Sequence, residues 1–151
     1  MNEQIEPKLK AVLNQAIEAC TEDVEEEGGV ILKNQKTGEL KYKKLHNANS
    51  GTSIAPVLWT ADRDEYADSI IPLFKEGWIH YASFHTHPRF LPLPSNIDLT
   101  VLFPGFPVNY IYSPATQEIT QWDFEGGQTF THKATFMHST VHRTVSKVFS
   151  A

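Results

Sequence analysis

The chain of 151 residues carries 13 Lys and Arg against 18 Asp and Glu, a formal net charge of -5, and that balance excludes a general nucleic-acid binder, which needs clustered cations against phosphates. Cys20 is the single cysteine, which excludes an intrachain disulfide and any need for an oxidising compartment. The length suits one core that removes roughly two thirds of the unfolded surface from water, so residues 1–151 are expected to form a single domain.

In chain order, Ile5, Leu9, Val12, Leu13, Ala16, Ile17 and Cys20 recur at three- and four-residue intervals and predict an amphipathic helix packed on a sheet. An acidic run, Glu22 to Glu27, follows. Val30-Ile31-Leu32 and Leu40 to Leu45 then flank Asn34-Gln35-Lys36-Thr37-Gly38, which reads as a hairpin. Lys41-Tyr42-Lys43-Lys44 within it is a solvated strand face. Asn47 to Thr52 is a polar loop, and Ala61 to Lys75 carries Tyr66, Ile70, Leu73 and Phe74 at helical spacing, closed by Gly77. Trp78 to His85 is a strand, and Ser95 to Phe103 starts as a helix does, with Ser95 as N-cap and Asp98 three residues on. Val108 to Tyr112 and Glu118 to Phe124 are strands around the turn Ser113-Pro114-Ala115-Thr116. Thr129 to His132 is expected as a short strand and Ala134 to Phe149 as a helix, against the preference of its threonines and valines. The polar, acidic amino terminus has no signal-peptide pattern and no apolar run reaches membrane-spanning length, so the expectation is a soluble cytoplasmic protein.

The chemistry concentrates in Phe84-His85-Thr86-His87-Pro88 and Ser95-Asn96-Ile97-Asp98. Histidines at i and i+2 on a strand share a face, about 7 Å apart along the backbone, and both imidazoles can close on one ion. A catalytic zinc takes three protein ligands and leaves a fourth position for water. Asp98 can be the third if the chain turns back after Pro88, and Leu91-Pro92-Leu93-Pro94 supplies that turn. Each part has a plainer explanation alone: Ser95 and Asp98 as a capping box, and the histidines as a core pair. Their combination at this spacing, with Glu26 upstream just before an apolar strand, favours a metal site. Cys20 reads as a buried small residue, and His138 and His142 as a surface pair, because no Glu follows His138 to complete a His-Glu-x-x-His pattern.

Glu26-x-x-Gly29, His85-x-His87-Pro88 and Ser95-x-x-Asp98 together resemble the JAMM motif of the JAB/MPN metalloprotease family. The order helix, hairpin, helix, strand, metal loop extends the resemblance over most of residues 5 to 125. It implies an α/β MPN (cytidine-deaminase-like) fold, a mixed β-sheet flanked by α-helices. It also implies Zn²⁺ held by His85, His87 and Asp98, with Glu26 as general base and then acid and Ser95 as donor to the oxyanion. Aligning on Gly29 selects Glu26 over Glu25 and Glu27. The implied reaction is amide or isopeptide hydrolysis of a protein or peptide, with ubiquitin-like and small carrier proteins among the family's substrates. The lack of room for long insertions resembles the compact prokaryotic or phage type. Two other classes stay open, a metal-free MPN scaffold that binds partner proteins and a hydrolase of small-molecule or cell-wall peptide amides. Phe90 to Pro94 is apolar for a loop and suits either a rim that meets substrate or packing on Trp78 or Phe103.

Overall fold

The structure, a computed structural model, describes residues 7–21, 23–89, 91–92, 106, 108–125, 128–135 and 145–150. Helix α1 (Pro7–Ala19) opens on proline, whose missing N–H costs nothing in a first turn. It buries Val12, Leu13, Ala16 and Ile17. Strands β1 (Gly28–Asn34) and β2 (Leu40–Leu45) form the expected hairpin. The Asn34 side chain closes it by accepting from the amides of Lys36 at 2.9 Å and Thr37 at 3.2 Å, and Gly38 takes a positive φ of 74° that favours glycine. Helix α2 (Arg63–Ser69) is capped by Asp62, which accepts from the Glu65 amide at 2.9 Å.

Five more strands follow: β3 (Trp78–Thr86), β4 (Val108–Ser113), β5 (Glu118–Glu125), β6 (Gln128–Thr135) and β7 (Val145–Ser150). With the hairpin they form, among the described residues, one mixed sheet in the order β2-β1-β3-β4-β5-β6-β7. Only β3 and β4 run parallel; the other pairs are antiparallel. A parallel pair cannot be joined by a tight turn, so the chain after β3 must cross back before it enters β4. That crossover carries Ser95 and Asp98.

Both faces of β1 and β3 are covered, which explains why β1 reads as a continuous apolar run. On one face α1 packs with Ile31, Ala82, Phe84, Tyr110, Tyr112 and Ile119. On the other, Val30, Leu32, Leu45, Trp59, Ile70, Trp78 and Ile111 form a second cluster.

Two expectations are corrected. The segment Ala61 to Lys75 is not one helix: α2 stops at Ser69 and a 3-10 turn runs over Ile71–Glu76 before Gly77 at φ 91°. Pro72 lacks the N–H that would continue the α-helical ladder, and its ring clashes with the preceding turn. The expected helix Ala134 to Phe149 is also corrected at its described residues: Gln128–Thr135 and Val145–Ser150 pair as antiparallel strands, in line with the strand preference of their threonines and valines. The strand expected at Thr129 to His132 is present and longer. The expected helix Ser95 to Phe103, with Ser95 and Asp98, lies outside the described residues, as do His138 and His142. Among the described residues no helix is long and apolar enough to cross a membrane.

Candidate metal centre

The first site residues come from the ends of two neighbouring strands. Gly28 at the start of β1 lies opposite His85 near the end of β3. The link continues past the ladder, where the Thr86 amide donates to the Glu27 carbonyl at 2.8 Å and the Glu27 amide to Thr86 Oγ1 at 3.0 Å. Glu26 is thereby held beside the two histidines. His87 leaves β3 but stays tied to the sheet, its amide donating to the Tyr112 carbonyl of β4 at 2.9 Å.

Glu26, His85 and His87 are all buried, and one ligand atom from each lies within 4.8 Å of the others. Glu26 is 4% exposed. One carboxylate oxygen, Oε1, accepts from the Trp59 amide at 3.1 Å, and the other, Oε2, stands 3.7 Å from His87 Nε2. The two imidazole Nε2 atoms are 3.1 Å apart. His87 Nδ1 lies 3.0 Å from the Leu91 carbonyl, which can only accept; Nδ1 therefore carries the proton and Nε2 keeps its lone pair for an ion. The Trp59 indole lies nearly parallel to the His85 ring, with centroids 6.4 Å apart.

This donor set fits zinc. Both Nε2 atoms can lie at a zinc–nitrogen distance of about 2.1 Å from one point, given their 3.1 Å separation. Imidazole nitrogens are also borderline donors of the kind zinc selects, and the Glu26 carboxylate lies beside them. Asp98, expected as a ligand, and Ser95, expected at the oxyanion, lie outside the described residues.

The neighbouring glutamates turn elsewhere. Glu25 accepts from the Gly51 amide at 2.9 Å and Ser50 Oγ at 2.7 Å, and these bonds, the backbone one first, hold its carboxyl below the usual range. Glu27 pairs with Lys44 on the outside. Cys20 is buried beside the Tyr42 hydroxyl, and burial pushes its thiol up to about 11, which leaves it inert. His46 is exposed and pairs with Glu65.

Three supporting residues escaped the sequence reading. Trp59 supplies the amide that orients Glu26. Asn47 clamps the same region, its Nδ2 donating to the carbonyls of Glu26 at 3.1 Å and Leu58 at 3.0 Å. At Gly28 a Cβ would meet the Phe84 carbonyl oxygen at 2.5 Å and His85 Cβ at 2.9 Å, so only glycine lets the strands approach where His85 is held. The Gly28-Gly29 pair at the head of an apolar strand was the signal available for that.

A family model of prokaryotic homologs of the JAB domain matches residues 9–125. The chain belongs to the prokaryotic JAB family. Its mixed α/β architecture is the one that the JAMM-like residues implied, and its Glu26, His85 and His87 cluster gives this JAB domain a candidate metal site. Among solved structures, a protein from Desulfitobacterium hafniense is 18% identical, with 90% of this chain and 82% of that one covered at a TM-score of 0.48. A protein from Salinibacter ruber is 22% identical, with 90% and 84% covered at a TM-score of 0.46. No curated protein matches the sequence.

Proposed function

We propose that this JAB domain is a zinc-dependent metallopeptidase or isopeptidase that hydrolyses an amide bond of a protein or peptide. The observation that supports this reading is the buried Glu26, His85 and His87 cluster. It gathers metal-ligating groups from the ends of two neighbouring strands, an arrangement that a metal-free scaffold does not require. His85 and His87 hold the ion through Nε2, and Asp98 from the crossover completes the ligand set. Bound there, zinc supplies Lewis-acid chemistry, polarising the amide carbonyl and making water more acidic.

The chain's own groups do the rest. Trp59 pins Oε1 of Glu26, so Oε2 is the oxygen that takes the proton from water and delivers it to the leaving amine. The Leu91 carbonyl keeps His87 in the tautomer that offers Nε2. Ser95 donates to the carbonyl oxygen as negative charge develops on it. Ubiquitin-like and small carrier proteins are the substrate class that the JAMM resemblance suggests. The test is Glu26→Gln, nearly isosteric but unable to take a proton. It should retain zinc and fold while amide hydrolysis falls by at least about a hundredfold. Hydrolysis at the parental rate by a fully loaded Glu26→Gln would reject Glu26 as the base.

A further inference from the structure

A second concavity opens on the sheet face that carries His85, on the far side of Trp59. It measures about 260 Å³, and Val30, Thr60, Ala61, Tyr66, His80 and Phe106 line it together with Trp59. That is below the roughly 300–1,000 Å³ of sites for drug-sized ligands, and it suits one side chain.

His80 reaches this face because of an irregularity in β3. Ile31 pairs with Ala82 but the next residue, Leu32, pairs with His80, so Tyr81 is the extra residue of a bulge. His80 Nε2 lies 2.7 Å from the Tyr66 hydroxyl, and the rings of Phe106 and Phe74 flank the imidazole at 4.9 and 5.4 Å. Burial holds His80 below its ordinary pKa and Tyr66 above its own, so both are uncharged at neutral pH. The walls are thus mostly apolar: the Tyr66 and His80 pair is satisfied internally, and Thr60 Oγ1 accepts from Asn49 Nδ2 at 3.4 Å. Trp59 joins this pocket to the metal centre, since its amide holds Glu26 and its indole faces His85.

We propose that this pocket is a specificity subsite that accepts a bulky apolar side chain of a peptide substrate whose scissile amide lies over Glu26, His85 and His87. The proposal rests on the hydrolase reading for the word substrate; the capture of an apolar side chain does not depend on it. An extended peptide advances about 3.3 Å per residue, and the indole and His85 centroids are 6.4 Å apart. With Trp59 as the shared wall, the captured side chain belongs to a residue near the cleaved bond. A tail with only glycines there would leave the pocket empty, so the enzyme should favour a large aliphatic or aromatic residue near the cut.

The test titrates the zinc-loaded protein with N-acetylglycinamide, N-acetylleucinamide and N-acetylphenylalaninamide while NMR follows the Trp59 indole and His80 imidazole signals. The leucine and phenylalanine amides should shift both signals and bind roughly tenfold or more tighter than the glycine amide. Ala61→Phe, which fills the pocket from its half-exposed wall, should abolish that difference. Equal responses to all three amides would overturn the proposal, as would parental selectivity in an Ala61→Phe protein that melts normally. Should Ala61→Phe not fold, the three amides on the parent decide alone. Selective binding in a zinc-loaded protein that hydrolyses no peptide or protein amide would sink the hydrolase reading and leave the pocket standing; peptide hydrolysis without selective binding would do the reverse.

Discussion

Gly28→Ala puts the close approach of β1 and β3 to a direct test. The added Cβ would lie 2.5 Å from the Phe84 carbonyl oxygen and 2.9 Å from both His85 Cβ and Trp59 Cε2. Ordinary carbon contacts lie at about 3.5–4.0 Å, so the strands must part by about 1 Å where His85 is held. None of the three neighbours yields cheaply: one is backbone, and His85 and Trp59 are 1% and 4% exposed. Overpacking of this kind costs about 1–3 kcal/mol, which urea unfolding of the metal-free protein would read. Moving His85 away from His87 and Glu26 should also weaken zinc by roughly 10–100-fold, the scale seen when ligand supports are disturbed. Competition with a chromophoric chelator measures that. Gly51→Ala is the control: its φ of +81° carries a strain cost, but no atom lies within 4 Å of the new Cβ and zinc affinity should hold. Parental zinc affinity and an unchanged urea midpoint in Gly28→Ala would refute the reasoning.

Two further outcomes follow from the site and its surroundings. Ser95→Asp exchanges one good helix-capping residue type for another but loses the hydroxyl donor, so it should melt near the parent while hydrolysis falls on the order of a hundredfold, further than in Ser95→Ala; full activity in Ser95→Asp would remove Ser95 from the proposed mechanism. The His46 and Glu65 pair raises the His46 pKa above its ordinary 6.5, chiefly through the hydrogen bond to Glu65. Its stabilisation is then fully present below about pH 6.5 and lost as pH rises through the folded value, so His46→Gln should lower Tm at pH 6 and leave it unchanged at pH 9, and an equal loss at both would contradict the assignment.

Much of the fold was legible because its signals are local. The α1 stripe, the Asn34 to Gly38 turn and the aromatic and β-branched run of β4 each needed only a short window of sequence. Where the reading failed, a single local signal was outweighed. Helical spacing through Ile70 and Phe74 hid the break that Pro72 imposes, and from Ala134 onward the strand preference of Val145 and Val148 was outweighed by the expectation of a helix, although both pair with β6. At the site, Glu26, His85 and His87 were legible from spacing, and the structure brings them together. Trp59 and Asn47 were not, because they act through a backbone amide and a carboxamide that reach across 33 and 21 residues of sequence. No periodicity records such contacts.

The central claim is that His85 and His87 hold a zinc ion, and metal content tests it most directly. Elemental analysis of the purified parent should give one zinc per chain. His85→Ala and His87→Ala, folded by circular dichroism, should each lose it after dialysis, because the ligands that remain cannot hold a catalytic ion well. Stoichiometric zinc in both folded variants would contradict the account.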